Sequence, residues 1–406
     1  MSDTQQQVSL RDFDLYNPTE EHKMLRESVK SFVQSEVEPQ AHKHDRDELF
    51  NLPLLRKLGE LGLLGITTPE AYGGSGMDAL AATIAHEEIA ASDPGFCLAY
   101  LAHAMLCVNN IAMNANEEQK KRWLPKLCSG EWIGAMAMSE PDYGTDVLGM
   151  KSTAVLKGDH YILNGRKMWI TNGTIDENKT PCDIVLVYAR TGEANGRAKV
   201  STFIVEKGFE GFSVGQKIQD KTGMRGSNTA ELVFENCKIP KANLIGNEGE
   251  SMLHMMKNLE MERLTLAAMS LGIARRSVYE MNKYATQRMA FGKPLRKLGQ
   301  IQKYIGDSYA EYMACRAYVY DTARKLDPTK GGNRLDSDGV KLTASTMGKN
   351  VADRAMQVMG GYGYVSEYIV ERLWRDAKLL EIGGGTIEAH QKNITVDLEK
   401  SGGALL

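Results

Sequence analysis

One carboxylate in this sequence stands where a packed helix carries apolar side chains. In and around Lys257–Ala268, KNLEMERLTLAA, apolar residues recur at helical spacing: Met255, Leu259, Leu266, Met269 and Ile273. The same steps of four and three pass through position 262, which is Glu262. Apolar surroundings disfavour the charged carboxylate and move its pKa toward the range useful to a general base. Glu260 and Arg263 lie one step round the helix, three apart, where they can pair at the surface or reach a polar ligand. Spacing alone leaves two readings open: a catalytic carboxylate, or a buried glutamate paired to a distant cation.

Other stretches carry ligand-binding chemistry. Met136–Ala154, MAMSEPDYGTDVLGMKSTA, leads from a strand into a glycine-containing turn with Ser139 and Thr145. In Lys167–Gly173, KMWITNG, alternation puts Trp169 and Thr171 on one strand face. A ring to pack against and a hydroxyl to bond a heteroatom suit a planar aromatic ligand, although a core Trp and a surface Thr fit the same spacing. Arg288–Pro294, RMAFGKP, offers an arginine fork for phosphate, with Gly292 allowing close backbone approach. QVMGGYGY (Gln357–Tyr364) and GGGT (Gly383–Thr386) expose bare backbone, and either also reads as a helix cap.

These stretches need elements to position them. From Asn17 to about Gly130 the pattern is helical, with helices over 18–37, 54–64, 79–91, 98–114 and 117–127, and with Asn17 as the first N-cap. Between Glu131 and about Asn247 it alternates. Tyr161–Leu163 and Lys167–Thr171 read as strands around an Asn164-Gly165 turn, and Ile184–Tyr188, Val200–Glu206 and Thr229–Phe234 as further strands. Helices return over 251–288, with an irregularity expected near Gly272, then over 302–326, 340–359 and 371–380. The tail SGGALL reads as unstructured. The fold class is therefore α+β multidomain: an all-α domain (1–130), a β-sandwich or barrel domain (131–248) and a C-terminal helical bundle (249–406).

Composition narrows the function classes. The 406 residues are 42% hydrophobic and 25% charged, with a formal net charge of −3. That balance gives no electrostatic footprint for nucleic acid or an anionic membrane. The opening MSDTQQQVSLRDFDLYN has no apolar core and is acidic, so a bacterial-type cytoplasmic location is expected, and no apolar run reaches the length of a membrane span. Six scattered cysteines and eight histidines show no metal-ligand spacing, so no metal is expected.

Taken in order, PEAYGG, AMSEPDYGTD, MWITNG, RMAFGKP, QVMGGYGY and RDAKLLEIGGGT resemble the acyl-CoA dehydrogenase family along nearly the whole chain. The resemblance implies a C-terminal four-helix bundle and FAD held between the β domain and the C-terminal helices. It implies acyl-CoA as substrate, an electron-transfer flavoprotein as electron acceptor, and a homotetramer built as a dimer of dimers. Carried over residue by residue, Met136, Met138 and Ser139 line the flavin, Trp169 lies against one face of its ring, Ile170 is a further cofactor-binding residue, and Thr171 bonds near its redox-active nitrogen. Arg288, Phe291, Gln357, Gly360 and Gly361 meet the FAD of the neighbouring subunit, and Thr386 and Glu388 its diphosphate or ribityl region. Thr145 stands where the family usually has a Ser that touches the CoA substrate, and Glu260 and Arg263 are further candidates for substrate contact. One departure is Gly299, where the family pattern FGKPIGEFQ has Gln; Gln300 follows it.

The second departure concerns the base. Most of the family reads Tyr-Glu-Gly-Thr at the end of the bundle, and this chain reads Gly383-Gly384-Gly385-Thr386. Two branches, the isovaleryl-CoA and long-chain types, carry their Glu just before an Arg on the first long C-terminal helix, which Glu262-Arg263 matches. LEMERLTLAA with EIGGGT is more similar to the isovaleryl type. The resemblance implies Glu262 as base, the Gly384 N–H as one donor to the thioester oxygen, and room for substrate along Gly383–Gly385. A branched acyl-CoA, isovaleryl-like or citronellyl-like, is the expected substrate. The alternatives are a long straight-chain dehydrogenase, an acyl-CoA oxidase, and a non-catalytic flavoprotein that binds other macromolecules.

Overall fold

The first helix begins at a threonine, and not at the asparagine expected to cap it. In the computed structural model, which describes residues 13–194 and 196–402, Thr19 caps α1 (Glu20–Phe32) by accepting from the His22 N–H at 3.3 Å. Asn17 is engaged by Arg26, whose Nε donates to it at 2.7 Å. The opening twelve residues and the end of the tail, both read above, lie outside the described residues. α1 continues through a π-helical turn at Val33–Val37 into α2 (Glu38–Asp47), so the helix outruns its expected end. Pro39 falls at the start of α2, and the wide turn before it lets the helix pass a residue without an N–H.

α3 (Leu52–Glu60) and α4 (Ala79–Ala90) follow, the latter capped by the Asp78 side chain. α5 (Pro94–Leu101) passes through a second π turn, Ala102–Val108, into α6 (Asn109–Asn114), and α7 (Glu117–Cys128) opens on an Asn116–Gln119 capping box. Contrary to the sequence reading, Pro94–Asn114 is long and apolar enough to cross a membrane; 78% of its apolar window is buried inside the fold, as in a core helix.

β1 (Gly134–Ala137), β2 (Thr153–Lys157), β3 (His160–Thr171), β4 (Ile184–Ala194), β5 (Arg197–Glu206), β6 (Phe212–Lys217), β7 (Thr229–Pro240) and β8 (Leu244–Ile245) form one sheet. Its order is β6-β7-β3-β2-β4-β5-β8, with β1 parallel to β4. Tyr161 of β3 and Phe203 of β5, well separated in that order, pack with ring centroids 4.8 Å apart, so the sheet folds back on itself. Asn164-Gly165 is no hairpin turn. β3 is continuous and pairs with β7 on both sides of a register shift there. The bulge lies in β7, where Glu235 and Asn236 together oppose Asn164, and Asn164 Oδ1 accepts from the Asn236 N–H at 2.7 Å.

α8 (Ser251–Gln287) is unbroken at Gly272. The glycine marks a crossing: a Cβ there would lie 2.5 Å from the Glu87 carbonyl oxygen of α4. A two-stranded ribbon, β9 (Met289–Ala290) and β10 (Lys293–Pro294), leads to α9 (Gly299–Lys325), α10 (Arg334–Met359), α11 (Ile369–Leu380) and α12 (Ile387–Lys400). Among the described residues the C-terminal unit thus has one α-helix, α12, beyond those read from periodicity. α12 begins at Thr386, whose hydroxyl accepts from the Ala389 N–H at 3.2 Å. α8 runs between α4 and α10 and is buried on every side from Glu260 to Ala274.

Candidate active site

Burial of α8 on all sides leaves Glu262 with little contact with water. It is 6% exposed, and its Oε2 has no hydrogen-bond partner among the described residues. Burial pushes the carboxyl up to about 7, against the opposing pull of Arg263 and Lys341. The fold brings Gly384 to this carboxylate from 122 positions along the chain: a Cβ on Gly384 would lie 3.3 Å from Glu262 Oε1. Gly384 has φ +68°, and such a Cβ would also collide with Leu266 Cδ1. The Gly384 N–H takes no hydrogen bond among the described residues. One desolvated carboxylate and one free backbone donor therefore share a small space.

Glu260 and Arg263 neither pair with each other nor lie at the surface. The Glu260 carboxylate accepts from the N–H groups of Gly332 (3.1 Å) and Asn333 (2.9 Å) at the start of α10. That engagement takes Glu260 away from the substrate-binding role expected of it. Arg263 faces Asp338, Nε to Oδ1 at 3.4 Å. Asp338 also meets His390, whose other ring nitrogen lies 3.1 Å from the Gly385 carbonyl oxygen. Lys341, fully buried on α10, donates to the Leu380 carbonyl, and burial brings its ammonium down to about 8. Sequence reasoning missed Lys341, Asp338 and His390. Lys341 had the same signal as Glu262, a charge in step with Ala344, Gly348 and Val351.

The β domain offers a face for a planar group. Lys167, fully buried, donates to the Met138 carbonyl and to Glu140, each at 2.9 Å, and the Met168 N–H donates to the Ser139 carbonyl at 2.9 Å. These bonds pin Met136–Ser139 against β3. A register shift between Lys167 and Ile170 reverses the strand face, so Trp169 and Thr171 lie on the open side and Ile170 in the core. The Ile170 side chain is turned into the core. Trp169 is 62% exposed at φ +66°, a conformation that costs a bulky residue energy and persists at sites that need it. Thr145 is exposed on the turn after β1.

A second group lies at the far ends of α8 and α10. Arg288 sits over the Tyr362 ring at 5.7 Å, and a cavity of about 560 Å³ opens beside them. Gln357, Gly360 and Gly361 are exposed there, and Phe291 is 90% exposed on the ribbon. The cavity beside Arg288 is not lined by Glu262. Glu388 is exposed in the first turn of α12, and Gln300 is exposed beside Gly299.

Three profiles of the acyl-CoA dehydrogenase family match in order: the N-terminal domain over residues 19–131, the middle domain over 135–237 and the C-terminal domain over 252–398. The mitochondrial isovaleryl-CoA dehydrogenase of Pongo abelii is 44% identical over 92% of this chain and 87% of its own length. The chain belongs to the acyl-CoA dehydrogenase family. A mitochondrial 2-methylacyl-CoA dehydrogenase of Solanum tuberosum is 40% identical over 93% of this chain and 90% of its own. The structure of butyryl-CoA dehydrogenase from Megasphaera elsdenii is similar at a TM-score of 0.88 and 34% identity, over 95% of this chain and 98% of that one. An acyl-CoA dehydrogenase is an oxidoreductase acting on CH–CH bonds, and the family is FAD-dependent.

Proposed function

We propose that this acyl-CoA dehydrogenase uses Glu262 as its base and a branched short or medium acyl-CoA as its substrate. The observation that carries the assignment is the desolvated, partly unpartnered Glu262 carboxylate beside the bare backbone of Gly384. A carboxylate near pKa 7 is ionised often enough at neutral pH to take a proton and basic enough to hold it. Glu262 would remove the proton α to the thioester carbonyl, while the Gly384 N–H bonds the carbonyl oxygen as negative charge develops on it. Leu266 and the surrounding buried helix exclude water from that transfer.

The open face at Trp169 and Thr171, backed by the pinned Met136–Ser139 segment, fits the isoalloxazine of FAD. The free ends of α8 and α10, with Arg288 and Gln357, fit the phosphate-bearing part of an FAD held by a second subunit. Bound there, FAD supplies the acceptor for the hydride leaving the β-carbon. Exposed Phe291 and Tyr364, at 90% and 82%, support a subunit partner on this side, and a homotetramer with an electron-transfer flavoprotein as oxidant completes the reading.

Branching is supported at Gly383 and opposed at Gly384. The atoms nearest to a Cβ at Gly383 would be those of Leu379, at 3.5 Å or beyond, so a Cβ fits on that flank, whereas Leu266 fills the space at Gly384. Anaerobic mixing of the yellow protein with a panel of acyl-CoAs tests both parts. Glu262→Gln should slow flavin bleaching by about a thousandfold with acyl-CoA still bound. An undiminished rate in that variant would remove Glu262 from the role. Straight chains of every length reacting much faster than β-methyl chains would end the branched reading.

A further inference from the structure

The glycine turn that faces Glu262 is held by backbone bonds, among them Ile387 N–H to the Glu381 carbonyl at 3.3 Å, and by one side chain. At its entry the Gly383 N–H donates to the Leu379 carbonyl at 2.7 Å, the usual closing bond of α11. At its exit the Gly385 carbonyl oxygen meets His390 Nε2 at 3.1 Å. Between these contacts stand Gly384 at φ +68° and Gly385 at φ +98°, residues with more backbone freedom than any others. A Cβ on Gly385 would lie 2.9 Å from His390 Cε1, so the imidazole packs directly on the turn.

His390 is itself held. Its Nδ1 meets Asp338 Oδ1 at 2.5 Å, and both residues are fully buried. Arg263, next in sequence to Glu262, lies 3.4 Å from the same Asp338 oxygen. A carbonyl oxygen can only accept, so the Gly385 contact is made by the N–H form of His390 Nε2. Asp338 and His390 thus link α10 to the turn bearing the Gly384 N–H, and the Arg263 charge, which makes no hydrogen bond through Nε among the described residues, faces the same Asp338 from the helix bearing Glu262.

We propose that His390 and Asp338 are positioning residues that fix the Gly384–Gly385 backbone for recognition of the thioester oxygen. The role rests on the acyl-CoA reading above. It separates the turn from a plain helix cap, because a cap would matter for stability and not for the charge on a ligand oxygen.

The test uses the FAD-loaded enzyme and two ligands of matched chain length: a 3-oxoacyl-CoA, which binds as its enolate, and a thioether analogue without the thioester carbonyl. His390→Asn keeps reach to Asp338 and loses the Gly385 contact. It should lower kcat by about 30- to 100-fold, with KM changed less than about threefold. Calorimetry should show the 3-oxoacyl-CoA weakened at least about tenfold and the thioether unchanged. His390→Gln, whose amide can still donate to the Gly385 carbonyl, should recover most of both losses. If His390→Asn does not accumulate as a flavoprotein, Asp338→Asn is judged by the same criteria. Equal weakening of both ligands, or wild-type kcat and wild-type enolate affinity, overturns the positioning role. A parent enzyme that no acyl-CoA reduces would overturn the substrate reading along with it; an active parent beside an indifferent His390→Asn overturns only this inference.

Discussion

Glu262 has a cost that its isostere would remove. Its carboxyl is held up to about 7, so the folded state keeps a proton that the unfolded chain releases near the ordinary carboxylate value of 4.5. Stability from this site is full below about pH 4.5 and is lost as pH rises through about 7. Glu262→Gln should therefore melt higher than wild type at pH 8, by about 2 kcal/mol, and the two should converge below pH 4.5. Calorimetric melts across that range check the sign. In wild type kcat/KM should rise through about pH 7 and level off, since the base must be ionised. The oddity of Glu262 was legible in the sequence because one charge interrupts an apolar period. His390 and Asp338 were not legible, because each sits beside other polar residues and their meeting depends on α12.

The elements around the site show why a side chain's address on a helix does not fix its task. Position 260 lies off the Glu262 stripe, which suits a surface pair or a ligand contact, yet α8 is packed between α4 and α10, and no face of its middle is free. Glu260 reaches the open N–H groups at the start of α10 and acts as a cap supplied from another helix. Glu260→Ala should lower stability by about 1–2 kcal/mol and leave acyl-CoA affinity within about twofold. Urea midpoints and ligand titration on the same samples separate the two effects. The long helices and most strands were legible from periodicity. The Asn164-Gly165 dipeptide favours a two-residue turn, but it runs straight through β3 opposite a bulge in β7, and only that pairing shows it. The last helix carried its signals, Thr386 as N-cap and Glu388 in the first turn, but they coincided with a motif read for ligand binding.

At the scale of the whole molecule, one buried ion cluster joins the N-terminal helices to the bundle. Glu87 and Glu88 of α4 meet Arg26 of α1, Arg275 of α8 and Arg316 of α9, and Arg275 reaches Glu88 with paired bonds of 2.8 and 2.7 Å. Nearby arginines and the Tyr320 hydroxyl hold the Glu87 carboxyl down to about 2 despite its burial. Its contribution is present above about pH 4.5 and is lost as pH falls through about 2. Glu87→Gln leaves buried guanidinium charge uncompensated and should lower stability at pH 7 by about 3 kcal/mol, read as an earlier thermal midpoint. The three-part architecture was legible in the order of helical and alternating segments. The cluster was not, since its members are spread over nearly three hundred positions. Where α4 and α8 cross, the Glu87 carbonyl lies against the bare face of Gly272. Every base change that alters the meaning of that codon adds a Cβ, so the joint between the two domains has no missense neighbour that leaves it undisturbed.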